Sequence, residues 1–243
     1  MVSKQGILLF LTIVLAFGLA VVSIFGVFVP TTYERDAPSM AAQGSGQDWV
    51  DLFLVTPLLL FSLIFMLRGS RASAYVYGGT VFYILYSFFI YAFGVHFNRL
   101  FLLYCLVLGT ALYAFVLFIG ELSRQDVKAW FEKESPTRIT GIFMLSVAAL
   151  FYLLWLKDIV PAILNNSIPA SVSDYGLLVN PVHVLDLAIA LPGLVLAGVM
   201  LLKNRTVGYI LAPIFLVFIL ILTVALIGMA VALKIQGVSD DIS

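Results

Sequence analysis

The sequence is poor in most of what a water-soluble catalyst relies on. Only 11% of its 243 residues are charged, against about a quarter in a typical soluble protein. The 13 basic and 13 acidic residues cancel to a formal net charge of +0, so no strongly basic face exists to neutralise phosphates and nucleic acid is excluded as a partner. The single cysteine, Cys105, lies inside an apolar run. No intrachain disulfide can form, and the thiol is expected to act as a small buried hydrophobe. There are two histidines, with no HExxH, no histidine pair at helical spacing and no cysteine cluster, so no metal motif of high specificity is present.

What the chain has instead is apolar surface, 63% of its residues being hydrophobic. Seven apolar runs of about 18 to 27 residues match the thickness of a bilayer's hydrocarbon. They are Gly6 to Val29, Val50 to Leu67, Ala72 to Val95, Leu100 to Ile119, Ile139 to Leu156, Val184 to Leu202 and Val207 to Leu233. A backbone in hydrocarbon has to satisfy its own hydrogen bonds, so each run is expected to be helical. The fold class expected is all-α, a polytopic membrane protein whose residues 1–243 form one transmembrane domain. The first run is longer than the apolar stretch of a secretory signal and no A-x-A site closes it, so it reads as a retained span.

Orientation follows from the bases. With the N-terminus inside, Lys4, Arg68, Arg71, Arg124, Lys128, Lys133, Arg138, Lys203 and Arg205 are cytoplasmic, and Arg35, Arg99, Lys157 and Lys234 are external. That distribution obeys the positive-inside rule and leaves the C-terminus outside, in the cell membrane. The acids split the other way, with Glu34, Asp36, Asp48, Asp51, Asp158, Asp174, Asp186, Asp240 and Asp241 outside. Trp49 and Trp155 then fall at the outer ends of their spans, where an indole keeps its ring dry and its N–H wet.

Three connecting segments stand out. Residues 31–49 are small, polar and Gly/Ser-containing, and read as a mobile outer loop. Residues 123–138 carry Val127, Trp130 and Phe131 among alternating charges, with Ser123 and Asp126 resembling a capping box. They read as a cytoplasmic amphipathic helix lying on the inner leaflet, or as a docking surface for a cytoplasmic partner; as a subunit of a membrane complex the chain would also meet a membrane-protein partner. Residues 158–182 form an outer loop whose Ile and Leu content suggests packing over the bundle.

The second and sixth spans align at one offset, Asp51 over Asp186, Leu52 over Leu187, Pro57 over Pro192 and Arg68 over Lys203. Both copies read Asp-Leu, four residues, Pro, then an apolar run ending in a base. Spans 2–3 and 6–7 are thus expected to form a parallel two-helix repeat. Helix-start chemistry, a carboxylate capping free N–H groups, accounts for both aspartates, and each proline then falls in the second turn of its helix. The paired Asp-Leu-x4-Pro starts, with Phe97-Asn98-Arg99-Leu100-Phe101-Leu102-Leu103-Tyr104 between them, resemble a group of uncharacterised multi-pass proteins of bacteria and archaea. The resemblance covers Asp51 to Val116 and Asp186 to Leu222. It implies the membrane architecture and no particular chemistry.

Two candidate sites emerge. His96 and His183 fall at the outer boundary near Asp51 and Asp186, a nitrogen and oxygen donor set that a divalent metal such as zinc accepts. A metal-dependent, outward-facing hydrolase would use such a site. Ordinary interfacial hydrogen bonding explains the same histidines. In the third span, Thr80, Tyr83, Ser87 and Tyr91 share one helical face and would line a cavity for a small-molecule or lipid ligand. Helix packing through hydroxyls is the plainer explanation of that stripe. No charged residue is expected in the middle of a span, which argues against a proton relay or a coupled ion pump. A retinal protein is excluded because the last span has no lysine before Lys234, and an ordinary receptor because its N-terminus lies outside. A membrane b-type haem protein would want histidines within facing helices. The leading expectation is an integral membrane protein, not an enzyme, that binds or passes a small or lipidic ligand through the outer half of the bundle. A metal-dependent hydrolase and a structural or assembly subunit are the alternatives.

Overall fold

In the computed structural model of the protein, residues 4–132 and 134–238 are described. Lys133, Asp240 and Asp241, which enter the charge map above, lie outside the described residues, as does the side chain of Lys4. Seven helices are long and apolar enough to cross a membrane. They are α1 (Lys4–Phe28), α2 (Pro38–Leu67), α3 (Arg71–Gly94), α4 (Phe101–Leu122), α5 (Thr137–Leu164), α6 (Pro181–Leu202) and α7 (Thr206–Gln236). No strand occurs among the described residues. The chain divides into two compact units, Met1–Ile119 with Val217–Ser243, and Gly120–Leu216.

In the first unit, α2 is longer than its apolar run. Most of the segment read as a mobile loop, 31–49, is instead helical from Pro38 onward, so α2 runs for 30 residues. Pro38 occupies the first turn, where its missing N–H costs nothing. The small residues that suggested a loop serve close helix packing instead. A Cβ on Gly46 would lie 2.5 Å from the Gly228 carbonyl oxygen on α7 and 2.8 Å from Ala232. Gly44 faces the ring of Tyr33.

Both α2 and α6 contain one π turn. In α2 it spans Asp51–Val55, and the Thr56 N–H donates to the Asp51 carbonyl five residues back. Pro57 follows at once, and a proline ring clashes with the carbonyl four residues before it, which favours a widened turn there. In α6 the π turn spans Asp186–Ala190, Leu191 donates to the Asp186 carbonyl, and Pro192 follows. Neither aspartate starts its helix, which corrects the capping explanation given from sequence. Asp51 lies 13 residues into α2, and α6 is capped by Asn180, whose side chain accepts from the Val182 N–H at 2.9 Å. The prolines follow the π turns and do not sit in a second turn.

Both helices also end alike. Gly69 (φ +93°) and Asn204 (φ +52°) take the left-handed conformation that closes a helix. Gly69 N donates to Met66 O and Ser70 N to Phe65 O, at 2.9 and 3.0 Å. Asn204 N donates to Leu201 O and Arg205 N to Met200 O, both at 2.9 Å.

In the second unit α5 packs along α6, where Gly141 and Gly198 allow close approach. A Cβ on Gly198 would stand 3.0 Å from the Gly141 carbonyl oxygen. The segment 123–138 is not an amphipathic helix. Among its described residues before α5 begins at Thr137, the helical part is a 3-10 turn, Val127–Trp130, and the Asp126 side chain caps nothing. Val127 is buried, Phe131 packs on Tyr209 at 5.2 Å, and Lys128 donates to the Asn204 carbonyl at 3.1 Å. Helices also take up both ends of the expected loop 158–182, since α5 continues to Leu164 and α6 begins at Pro181. Between them stands the single-turn helix Ala170–Ser173. Cys105 is exposed on α4, so the expectation of a buried thiol is corrected.

Candidate functional site

Placing Pro38 at the start of α2 puts two acids inside a helix long and apolar enough to cross a membrane. Asp48 and Asp51 are three residues apart, share one helical face, and are both 0% exposed. The expectation that no span carries an acid near its middle is therefore corrected. Neither makes an ion pair with a described residue.

Hydroxyl groups surround the acids. The Asp48 carboxyl accepts from Tyr91 at 3.1 Å and from Tyr33 through a short hydrogen bond. Asp51 Oδ1 accepts from Tyr83 at 2.9 Å. From α1, Ser23 turns its hydroxyl towards Asp48 without completing a hydrogen bond. Gly26 follows one turn later, where any side chain would collide with the Asp48 carboxylate. The Gln47 amide lies beside Asp51. Two buried oxygens in this group have no partner among the described residues, Ser23 Oγ and Asp51 Oδ2. Burial, and then the neighbouring Asp48 carboxyl, push the Tyr33 hydroxyl well above its ordinary 10.0.

At the same end of the unit, a cleft of about 160 Å³ opens between the α1–α2 and α3–α4 connections. Thr31, Thr32, Glu34, Arg35, Phe97, Asn98 and Arg99 line it. Asn98 joins it to the buried hydroxyls, donating to Tyr104 at 3.0 Å and to the Thr32 carbonyl at 3.3 Å. Tyr104 packs edge-on against Tyr91 at 5.5 Å.

The residues singled out from sequence separate as follows. Thr80, Tyr83, Ser87 and Tyr91 share the buried face of α3. Tyr83 and Tyr91 reach the two acids, while Thr80 donates back to the Val76 carbonyl at 2.7 Å. None of the four lines the cleft. His96 binds Asp36, whose Oδ1 receives its N–H at 2.9 Å and meets its Nδ1 at 2.8 Å. Asp186 accepts from the Trp155 indole at 2.7 Å, and His183 packs against that indole at 4.6 Å. His96 and Asp51 thus belong to the first unit, His183 and Asp186 to the second. Among the described residues, no three His, Cys, Asp or Glu side chains form a group that could hold a metal ion.

Asp48, Tyr33, Ser23 and Gly26 were not foreseen as site residues. The three-residue spacing of Asp48 and Asp51 was the available signal, hidden because Asp48 stood outside the apolar run.

The seven helices define a protein built to occupy a lipid bilayer. Compared with protein-family models, curated proteins and solved structures, the chain finds no match.

Proposed function

We propose that this is a multi-pass protein of the cell membrane, N-terminus cytoplasmic and C-terminus external, that binds or passes a small or lipidic ligand through the outer half of its helices. The observation that supports this reading is the cleft beside Asn98, from which a chain of side-chain contacts through Tyr104 and Tyr91 leads to the buried acid Asp48. The cleft offers both signs of charge, an aromatic face and hydroxyls within a small volume, the mixture that orients a small ligand. Arg99 and Glu34 are exposed and have no polar partner among the described residues, so they are free to meet a ligand.

The test is mass spectrometry of molecules that co-purify with the wild type and with an Arg99→Ala/Glu34→Ala double variant. Both substitutions are at exposed positions and should leave the fold intact. A species enriched with the wild type and lost from the variant supports the reading. The same extract from both, or none from either, counts against it.

A further inference from the structure

We propose that Ser23, Asp48 and Asp51 form a binding site for one small monovalent cation, a proton or a sodium ion, beneath the cleft and formed by different residues.

The first argument is charge. Two carboxyl groups stand wholly out of water on one helix face. The titratable groups facing them are the tyrosines Tyr33, Tyr83, Tyr91 and Tyr104, none of which can supply a positive charge. The faces contributed by α1 and by the end of α7 carry no charged residue between Gln5 and Phe28 or between Val217 and Ala232. A buried carboxylate without a counter-charge is strongly disfavoured, and a bound cation removes that penalty. The second argument is vacant oxygen. Asp51 Oδ2 and Ser23 Oγ are buried and unpartnered, contributed by two different helices. All the donors are oxygens, the ligand type that small hard cations take.

The third argument comes from the second unit. The positions 135 residues beyond Ser23, Asp48 and Asp51 are Asp158, His183 and Asp186. The same offset relates the two π turns, Asp51–Val55 and Asp186–Ala190, and the starts of α3 and α7, Arg71 and Thr206. All three positions are therefore polar in both units, and Asp158 and Asp186 both act electrostatically on His183. A π turn at equivalent places in two helices is a feature concentrated at functional sites. Helix packing alone would not demand polar residues at these three positions twice over.

The experiment measures thermal unfolding of the full-length protein in detergent. In one arm sodium chloride replaces choline chloride at fixed pH and ionic strength. In the other, pH is varied between about 8 and about 5 without sodium. If sodium is the ligand, it raises the wild-type Tm by on the order of 5 °C and does not raise that of Asp51→Asn. If the proton is the ligand, lowering the pH raises the wild-type Tm, the effect is lost in Asp51→Asn, and sodium has no influence. Ser23→Ala removes one oxygen without leaving a buried charge. It should fold, and should shift the midpoint of whichever arm responds by about tenfold. The proposal is overturned if the wild type responds to neither ion, or if Asp51→Asn and Ser23→Ala respond as the wild type does. No cleft residue is altered, so the outcome is separate from the test of ligand binding.

Discussion

The hydroxyl of Tyr83 on α3 donates to Asp51 Oδ1 on α2 at 2.9 Å, while the other oxygen of that carboxyl, equally buried, has no partner among the described residues. One half of the group is satisfied by the fold and the other half is open.

This bond should be worth more than its area. Tyr83→Phe leaves a buried acceptor unsatisfied and is expected to destabilise the protein by about 1–3 kcal/mol. Asp51→Leu on its own strands the Tyr83 hydroxyl. The double variant should lose clearly less than the sum of the two, as a double-mutant cycle of detergent unfolding midpoints would reveal. Additive losses would mean that the bond contributes nothing.

Gly26 and Gly120 should respond to alanine in opposite ways. At Gly26 the new methyl meets the Asp48 carboxyl and comes within 2.9 Å of the Tyr33 hydroxyl, whereas at Gly120 nothing lies within 4 Å. Gly26→Ala is expected to lower stability by about 1–3 kcal/mol through overpacking. Gly120→Ala should be neutral or stabilising by up to about 1 kcal/mol, since alanine is the better helix former. Thermal unfolding of the two variants side by side decides this.

Tyr33 should make the protein sensitive to alkali. Its hydroxyl is raised above 10.0 in the folded protein, first by burial and then by Asp48. The unfolded chain therefore loses this proton at lower pH than the folded one. The stability involved is fully present below pH about 10 and declines as pH rises beyond it. Tyr33→Phe should flatten that decline in a pH series of unfolding midpoints. An unchanged alkaline slope would place the sensitivity elsewhere.

Much of the architecture was legible because bilayer thickness imposes a length on apolar runs, and all seven runs became helices. The shared Asp-Leu-x4-Pro pattern, read as two helix starts, instead marks the two places where α2 and α6 widen. The start of α2 was not legible. Gly44, Ser45 and Gly46 have poor helix propensity, and their helical state goes with close packing, of Gly44 on Tyr33 and of Gly46 on Gly228, that the sequence does not display. The candidate site was missed for the same reason. With α2 begun too late, Asp48 and Asp51 looked like boundary residues, and the face of Tyr83 and Tyr91 looked like the wall of a cavity. These tyrosines instead hold the acids. The segment around Trp130 misled in the opposite sense, because Val127 and Phe131 are drawn into packing within the second unit and the helix they suggested does not form.

The π turns have a consequence for how α2 and α6 are indexed. An α-helix repeats its faces about every 3.6 residues, and one added residue shifts that count. In α2 the stretch before the turn sets the azimuth of Asp48, and the stretch after it sets the azimuth of Leu59, Ser62 and Leu63, which are buried. The π turn thus fixes the offset between the polar face before it and the apolar seam after it along one continuous rod. The turn absorbs one residue, so a single-residue deletion within 51–55 would return α2 to a regular α-helix and leave the acids and the seam facing as they do now.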